Sequence, residues 1–198
     1  TVFFNVNNLQ DGIPYVIRLL PPDMEKNPDG FIERFYHKIN NDKVLCPKSS
    51  KADNDCFICD ELLPAVAAER DTPGVVIDNE IQEIINDLYG FPKIMFYVAA
   101  KIRMGEVEKK KIAYPQEQWV PCVWDMTQQS LIRRMFELFE GVYETDASGN
   151  QVLIKEGYPD LNDQYTGRTL VLTKNHTKYA LDTGVVMPIP SEWTETFF

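Results

Sequence analysis

The sequence is short of several things, and each shortage removes a class of function. No apolar run approaches the roughly 20 residues a helix needs to span a bilayer, which argues against a membrane-embedded protein. Neither His-Glu-x-x-His nor Gly-x-Ser-x-Gly occurs, so the zinc-protease helix and the hydrolase nucleophile elbow are both missing. Histidine appears only twice, and His176 stands in Lys174-Asn175-His176-Thr177-Lys178, a polar turn between expected strands that is assigned no role. There are no internal repeats and no low-complexity tracts. Positive charge is in deficit: 20 Lys and Arg against 30 Asp and Glu leave a formal net charge of −10, which repels polyanions at long range. Nothing resembling a signal peptide opens the sequence, so neither an oxidising compartment nor a disulfide framework is expected. The expectation is a protein that is not an enzyme.

What the chain does have is a concentrated set of metal-ligand residues. Three of its four cysteines fall within fourteen residues, with a histidine just upstream. His37, Cys46, Cys56 and Cys59 are separated by eight, nine and two residues, and four such donors are what a tetrahedral structural zinc requires. The two-residue spacing in Cys56-Phe57-Ile58-Cys59 lets both thiolates face one ion from a tight turn. A disulfide would leave a third cysteine crowded against the pair, and Cys122 is remote, so one structural Zn2+ is the favoured reading over paired or merely buried cysteines. Four protein ligands also close the coordination sphere against catalysis. The zinc-deaminase signature needs a Glu two residues after the histidine and a Pro before the Cys pair, where this chain has Ile39 and Asp55.

The 198 residues, 44% of them hydrophobic, suffice for a sizeable core. Residues 13–20 and 31–39 read as strands, the first stopped by Pro21-Pro22, the second with Phe31, Phe35 and His37 on one face. The polar stretch 40–55 is too irregular to pack without a metal. Helices are expected over 60–69 and 76–89, the second with a stripe of Ile77, Ile81, Ile84, Ile85 and Leu88 facing the core and a stop at Gly90-Phe91-Pro92. From Lys93 the period becomes two, with Ile94, Phe96, Val98, Ala100 and Ile102 opposite Met95, Tyr97, Ala99, Lys101 and Arg103. Residues 104–118 read as a charged connection, 119–124 as a strand, and the segment from Asp125 or Thr127 to Phe139 as a capped helix with Leu131, Met135, Leu138 and Phe139 inward. Strands at 168–173 and 178–181 close the pattern. The class is mainly β with short helices (α+β), arranged as a small barrel with a metal-clamped insert.

This order of features resembles the zinc-containing single-stranded DNA-binding, helix-destabilising proteins of T-even-type bacteriophages. The resemblance runs from Pro14-Tyr15-Val16 through His37 and the Cys46-Pro47…Cys56-x-x-Cys59 knuckle, then Phe96-Tyr97-Val98-Ala99-Ala100-Lys101, residues 119–141 and Tyr165-Thr166-Gly167-Arg168. It implies an OB-fold barrel with a zinc subdomain inserted near its start: first strands over 1–36, the zinc subdomain with a helical insert over 37–92, and the rest of the barrel over 93–198. It also implies non-specific coating of exposed strands in phage replication, recombination and repair, in the cytoplasm of the infected bacterial host. Implied partners are single-stranded DNA, replication or recombination proteins, and further copies of the chain along the DNA, with no membrane. The family's basic N-terminal arm and acidic C-terminal tail have no counterpart in these 198 residues, and the stretch from Cys59 to Lys93 is longer than the family's. The alternative is a zinc-stabilised interaction or structural phage module that binds no nucleic acid.

Sequence-tolerant strand binding needs cations that follow phosphates and aromatic faces on which bases stack. Tyr97, Lys101 and Arg103 alternate with core residues on one strand, and Tyr36 with Lys38 does so on the strand bearing His37. Arg168, Tyr165, Trp119, Trp124 and the run Lys109-Lys110-Lys111 complete the candidates, the lysines being either a contact or a solvated hairpin tip.

Overall fold

The computed structural model describes residues 2–21, 30–40, 42–49, 54–70, 72, 74, 78–88 and 91–193. They form a mainly β, α+β protein that divides into two compact units, residues 1–32 with 94–198 and residues 33–93.

In the first unit the core is a mixed sheet. Its strands are β1 (Val2–Phe4), β2 (Pro14–Leu19), β5 (Phe91–Val107), β6 (Lys110–Met126), β9 (Arg168–Asn175) and β10 (Lys178–Val186), in the order β1-β6-β5-β2-β9-β10. Only β1 on β6 is parallel along this path. Tyr15, Ile17, Phe96, Val98, Trp124, Leu170 and Leu172 project from it into one apolar cluster, closed by Leu131, Met135 and Leu138 of α3 (Gln129–Glu140). The alternation expected from residue 94 holds: Tyr97 and Arg103 are exposed while Ile94, Phe96, Val98 and Ile102 are buried. Ala99 departs from it. It is buried on the outward side by Leu20, Ile189 and Trp193, with Trp119 packed against them.

Two expectations are corrected, and one element is added. Residues 104–118 are not a connection: β5 and β6 continue through them as two 17-residue strands, paired to Val107–Lys110. The turn consists of Glu108 and Lys109, both at positive φ (49° and 65°), the conformation of a two-residue hairpin usually signalled by Asn-Gly. Helix α3 starts at Gln129 after Gln128, with no side-chain cap, so neither Asp125 nor Thr127 caps it. A small separate hairpin, β7 (Val142–Thr145) with β8 (Gln151–Lys155), follows it, where no element was expected; its turn carries Ser148-Gly149 between two β-forming runs.

In the second unit, β3 (Phe31–Ile39) begins within the first unit's range and pairs with β4 (Asp42–Leu45), within the stretch expected to be irregular. Residues 58–62 form a wide helical turn leading into α1 (Leu63–Arg70), and α2 spans Asn79–Leu88. Phe35 is exposed, whereas His37 on the same strand is buried. Of the expected stripe on α2, Ile85 is buried but Ile81 and Ile84 are exposed, so the stripe is only partly core. Ile77, Tyr89, Gly90 and Pro22 lie outside the described residues.

Arg18 is wholly buried within the first unit. Its guanidinium donates to the main-chain carbonyls of Met187 (2.9 Å), Leu19 (2.6 Å), Leu161 (3.1 Å) and Asp163. Burial lowers its pKa to about 10, with the Asp163 charge opposing the shift. The clasp pins β2 to the loop 161–167 and to the segment after β10. A Cβ on Gly167 would lie 2.5 Å from the Asp163 carbonyl oxygen, so the loop needs glycine there. Arg18→Met should therefore lose on the order of 3 kcal/mol, because several carbonyls are left buried without a donor. Urea denaturation of the two proteins measures it; a loss below about 1 kcal/mol would show the carbonyls re-solvated.

Candidate metal centre and outward sheet face

The candidate metal site is built by two local structures. The β3–β4 hairpin places His37 opposite Val44, and the Cys46 amide donates to Phe35 O at 2.8 Å, folding the strand end back toward His37. Residues 47–49 then make a single turn held by Ser49, whose hydroxyl accepts from Phe35 N at 2.6 Å. The second structure is the turn carrying Cys56 and Cys59. Asp60 accepts from the Cys56 amide at 2.9 Å and forms an ion pair with Lys48, linking the two ligand-bearing turns. That pair and the Cys56 amide hold the Asp60 carboxyl below the usual range.

The ligand atoms of His37, Cys46, Cys56 and Cys59 all lie within 4.8 Å of one another. Cys46 Sγ is 3.8 Å from Cys59 Sγ, and His37 Nε2 is 3.4 Å from Cys56 Sγ and 3.5 Å from Cys59 Sγ. Zinc bonds of about 2.3 Å to sulfur and about 2.05 Å to nitrogen, at tetrahedral angles, put sulfurs about 3.8 Å apart and nitrogen about 3.6 Å from sulfur. The spacing therefore fits one tetrahedral ion. His37 Nδ1 is 2.7 Å from Leu88 O; donation there assigns the proton to Nδ1 and leaves Nε2 free to bind, the usual outer support of a ligating histidine.

The sulfurs' charges conflict with one another without an ion. Burial pushes the Cys56 thiol up, but hydrogen bonds from the Cys59 amide and from Cys46, Cys59 and His37 outweigh it and bring it down to about 7. Burial and the neighbouring Cys56 and Cys46 push Cys59 up to about 12. A bound divalent cation favours the ionised form of a coordinating thiol. Cys122 stands apart, buried in the first unit, with its pKa raised to about 11 by burial.

The candidate nucleic-acid contacts are distributed unevenly. On the outward side of β5 and β6, Tyr97 is 53% exposed. Lys101 Nζ lies 5.4 Å over the Trp119 ring, and the Arg103 guanidinium 5.2 Å over that of Tyr114, its cross-strand partner. Lys101 also lies 3.4 Å from the exposed Glu117. Tyr114 had been hidden by reading 104–118 as a connection; as a strand, its alternation with buried Ala113 marks it. Lys109, Lys110 and Lys111 occupy the hairpin tip. Tyr165 is 70% exposed on the loop clasped by Arg18, its amide accepted by Asp163 at 2.7 Å. Arg168 lies 4.8 Å over the Tyr158 ring and donates to Gly184 O at 3.2 Å. Trp124 is corrected: it is 0% exposed, edge-on to Phe4 in the core, and no base can reach it. In the second unit, Lys93 covers the Tyr36 ring at 5.5 Å and Lys38 is 2.8 Å from Asp87, so both candidates there already have partners. No helix among the described residues is long and apolar enough to cross a membrane.

Compared with models of known protein families and with curated proteins, the chain matches none.

The freshly purified protein is expected to carry one metal ion per chain, zinc by its donor set, measured by elemental analysis. Cys56→Ser should lose the ion and speed amide exchange across residues 37–60, since binding energy at such a site is folding energy. A wild type containing no metal would refute the assignment.

Proposed function

We propose that the protein binds single-stranded DNA without strong base preference, and that its metal is one structural zinc. The observation that carries the reading is the outward face of β5 and β6. Cations Lys101 and Arg103 are each stacked on an aromatic ring, beside exposed Tyr97. Such a face offers phosphate contacts and stacking platforms together, as sequence-tolerant strand binding requires. The Lys101–Glu117 pair is exposed at Glu117, so a phosphate can displace that carboxylate at small cost.

The family resemblance supplies the rest of the proposal: an OB-like barrel, action by coating strands rather than by chemistry, and service in phage replication, recombination and repair inside the bacterial host. Barrel closure is supported by the segment before β2. Leu9 bridges to Ala113 of β6 and Asp11 to Lys174 of β9, joining strands that have two others between them in the sheet order. Tyr15 Oη donates to Ala113 O at 2.7 Å, and Gly12 N donates to Lys174 O at 2.7 Å, reinforcing both seams. A protein that prefers single strands shifts the duplex equilibrium by mass action alone.

Titrating tryptophan emission with single- and double-stranded oligonucleotides at two salt concentrations tests the reading. Single strands should bind far more tightly, and binding should weaken as salt rises. Lys101→Ala and Arg103→Ala should each lower the salt slope by about 0.7, one phosphate contact on a single strand. Tyr97→Ala should cost roughly 1–3 kcal/mol with little change in slope. Equal binding of duplex would overturn the single-strand reading, and no salt-dependent binding of either form would leave an interaction module in its place.

A further inference from the structure

The first unit has a second feature with ligand chemistry, at its N-terminal edge. A groove lies between residues 2–10 and the distal arm of the β5–β6 hairpin. It has two lobes, about 560 and 410 Å³, that share Asn8 and Lys111 as walls. Either volume falls within the range of small-molecule sites.

The sequence pattern builds the walls. Phe4 is buried against Trp124, so alternation along β1 turns Phe3 outward, where it is 55% exposed at the first lobe. Asn5 Oδ1 accepts from the Asn7 amide at 2.9 Å and fixes the single turn 6–8, whose Val6 is buried. That leaves the Asn5 side-chain nitrogen to donate. The side-chain amide of Asn8 makes no hydrogen bond among the described residues. Lys110 lines the second lobe and Lys111 both. Glu106 also lines the first lobe, directly across the ladder from Lys111, so Lys110 is the cation without an acidic cross-strand partner. An aromatic face, two amides and two ammonium groups match the three parts of a nucleotide: ring face, polar base edge and phosphate.

We propose that this groove seats one nucleotide of a bound single strand, with the base on Phe3, its edge at Asn8 and Asn5, and its phosphate at Lys110 and Lys111. The proposal rests on the strand-binding reading and adds a contact region that it does not require.

An oligo(dT) carrying one 5-iodouracil, cross-linked under long-wavelength light and mapped by mass spectrometry, locates the base. A cross-link at Phe3 is expected, with Phe3→Ala and Asn8→Ala each weakening oligonucleotide binding about fivefold or more and Phe3→Trp restoring it. Both side chains lie outside the core, so urea midpoints should not change. Unaltered binding in both alanine variants, with cross-links confined to Tyr97, Trp119 or Tyr165, would overturn the groove and leave strand binding standing. Free dTMP, titrated separately, distinguishes a strand site from a mononucleotide site. Binding of dTMP as tight as that of the oligonucleotide would overturn the strand assignment. A wild type that binds neither overturns this proposal and its parent together.

Discussion

The second unit depends on four side chains meeting at one point. Among its described residues, the buried ones are His37, Cys46, Cys56 and Ile85. Three of those four belong to the cluster that could hold a metal ion, so the interior of this unit is that cluster rather than an apolar core. A region of this size rarely buries enough apolar surface to hold itself together, and a structural metal is a common remedy. Without a cation, each ionised sulfur opposes the next. With one, hairpin, knuckle turn and α2 are tied together through His37 and its bond to Leu88 O.

The first unit solves its packing by other means. Its cluster draws on every strand of the sheet path and on α3. What needs explaining there is polar: Arg18, which no apolar pattern would put at the centre of a core. Four carbonyl partners satisfy the guanidinium, and they come from three separate stretches of chain. A buried charge that loses its partners is far more costly than one that never had to be buried. The clasp therefore fixes loop 161–167 in one conformation, and Tyr165 is presented on that loop.

Much of this could be read from the residues, for physical reasons that differ from case to case. Ligand chemistry and spacing were sufficient for the metal cluster, because few other arrangements suit three cysteines and a histidine at such close spacing. Period-two alternation located the buried and exposed faces of β5, because a strand has only two sides. The same signal failed over 104–118, where the hairpin arm carries charge on both faces and turns on Glu108-Lys109 instead of a glycine pair. It failed differently at Trp124, where an aromatic in a strand was equally compatible with stacking and with core. Burial is a tertiary property. Neither Arg18 nor the groove beside Phe3 has a local signature, since each is assembled from segments far apart in the chain.

An acidic protein that binds a polyanion must do so through arrangement, since its long-range field works against it. With a Debye length of about 8 Å at physiological salt, that field is largely screened at the surface, and the nearest few charges decide the outcome. Here those charges are not free. Lys101 and Arg103 lie against Trp119 and Tyr114, whose ring faces attract cations and restrict where they can go. A cation already confined loses less freedom when a phosphate arrives, so each contact retains more of its energy. On the proposed strand-binding function, the aromatic residues would serve in two ways: Tyr97 by offering a face to a base, and Trp119 and Tyr114 by holding the cations in place. On that account the tryptophan need not touch DNA to matter, and replacing it should raise the cost of the Lys101 contact without removing a stacking site.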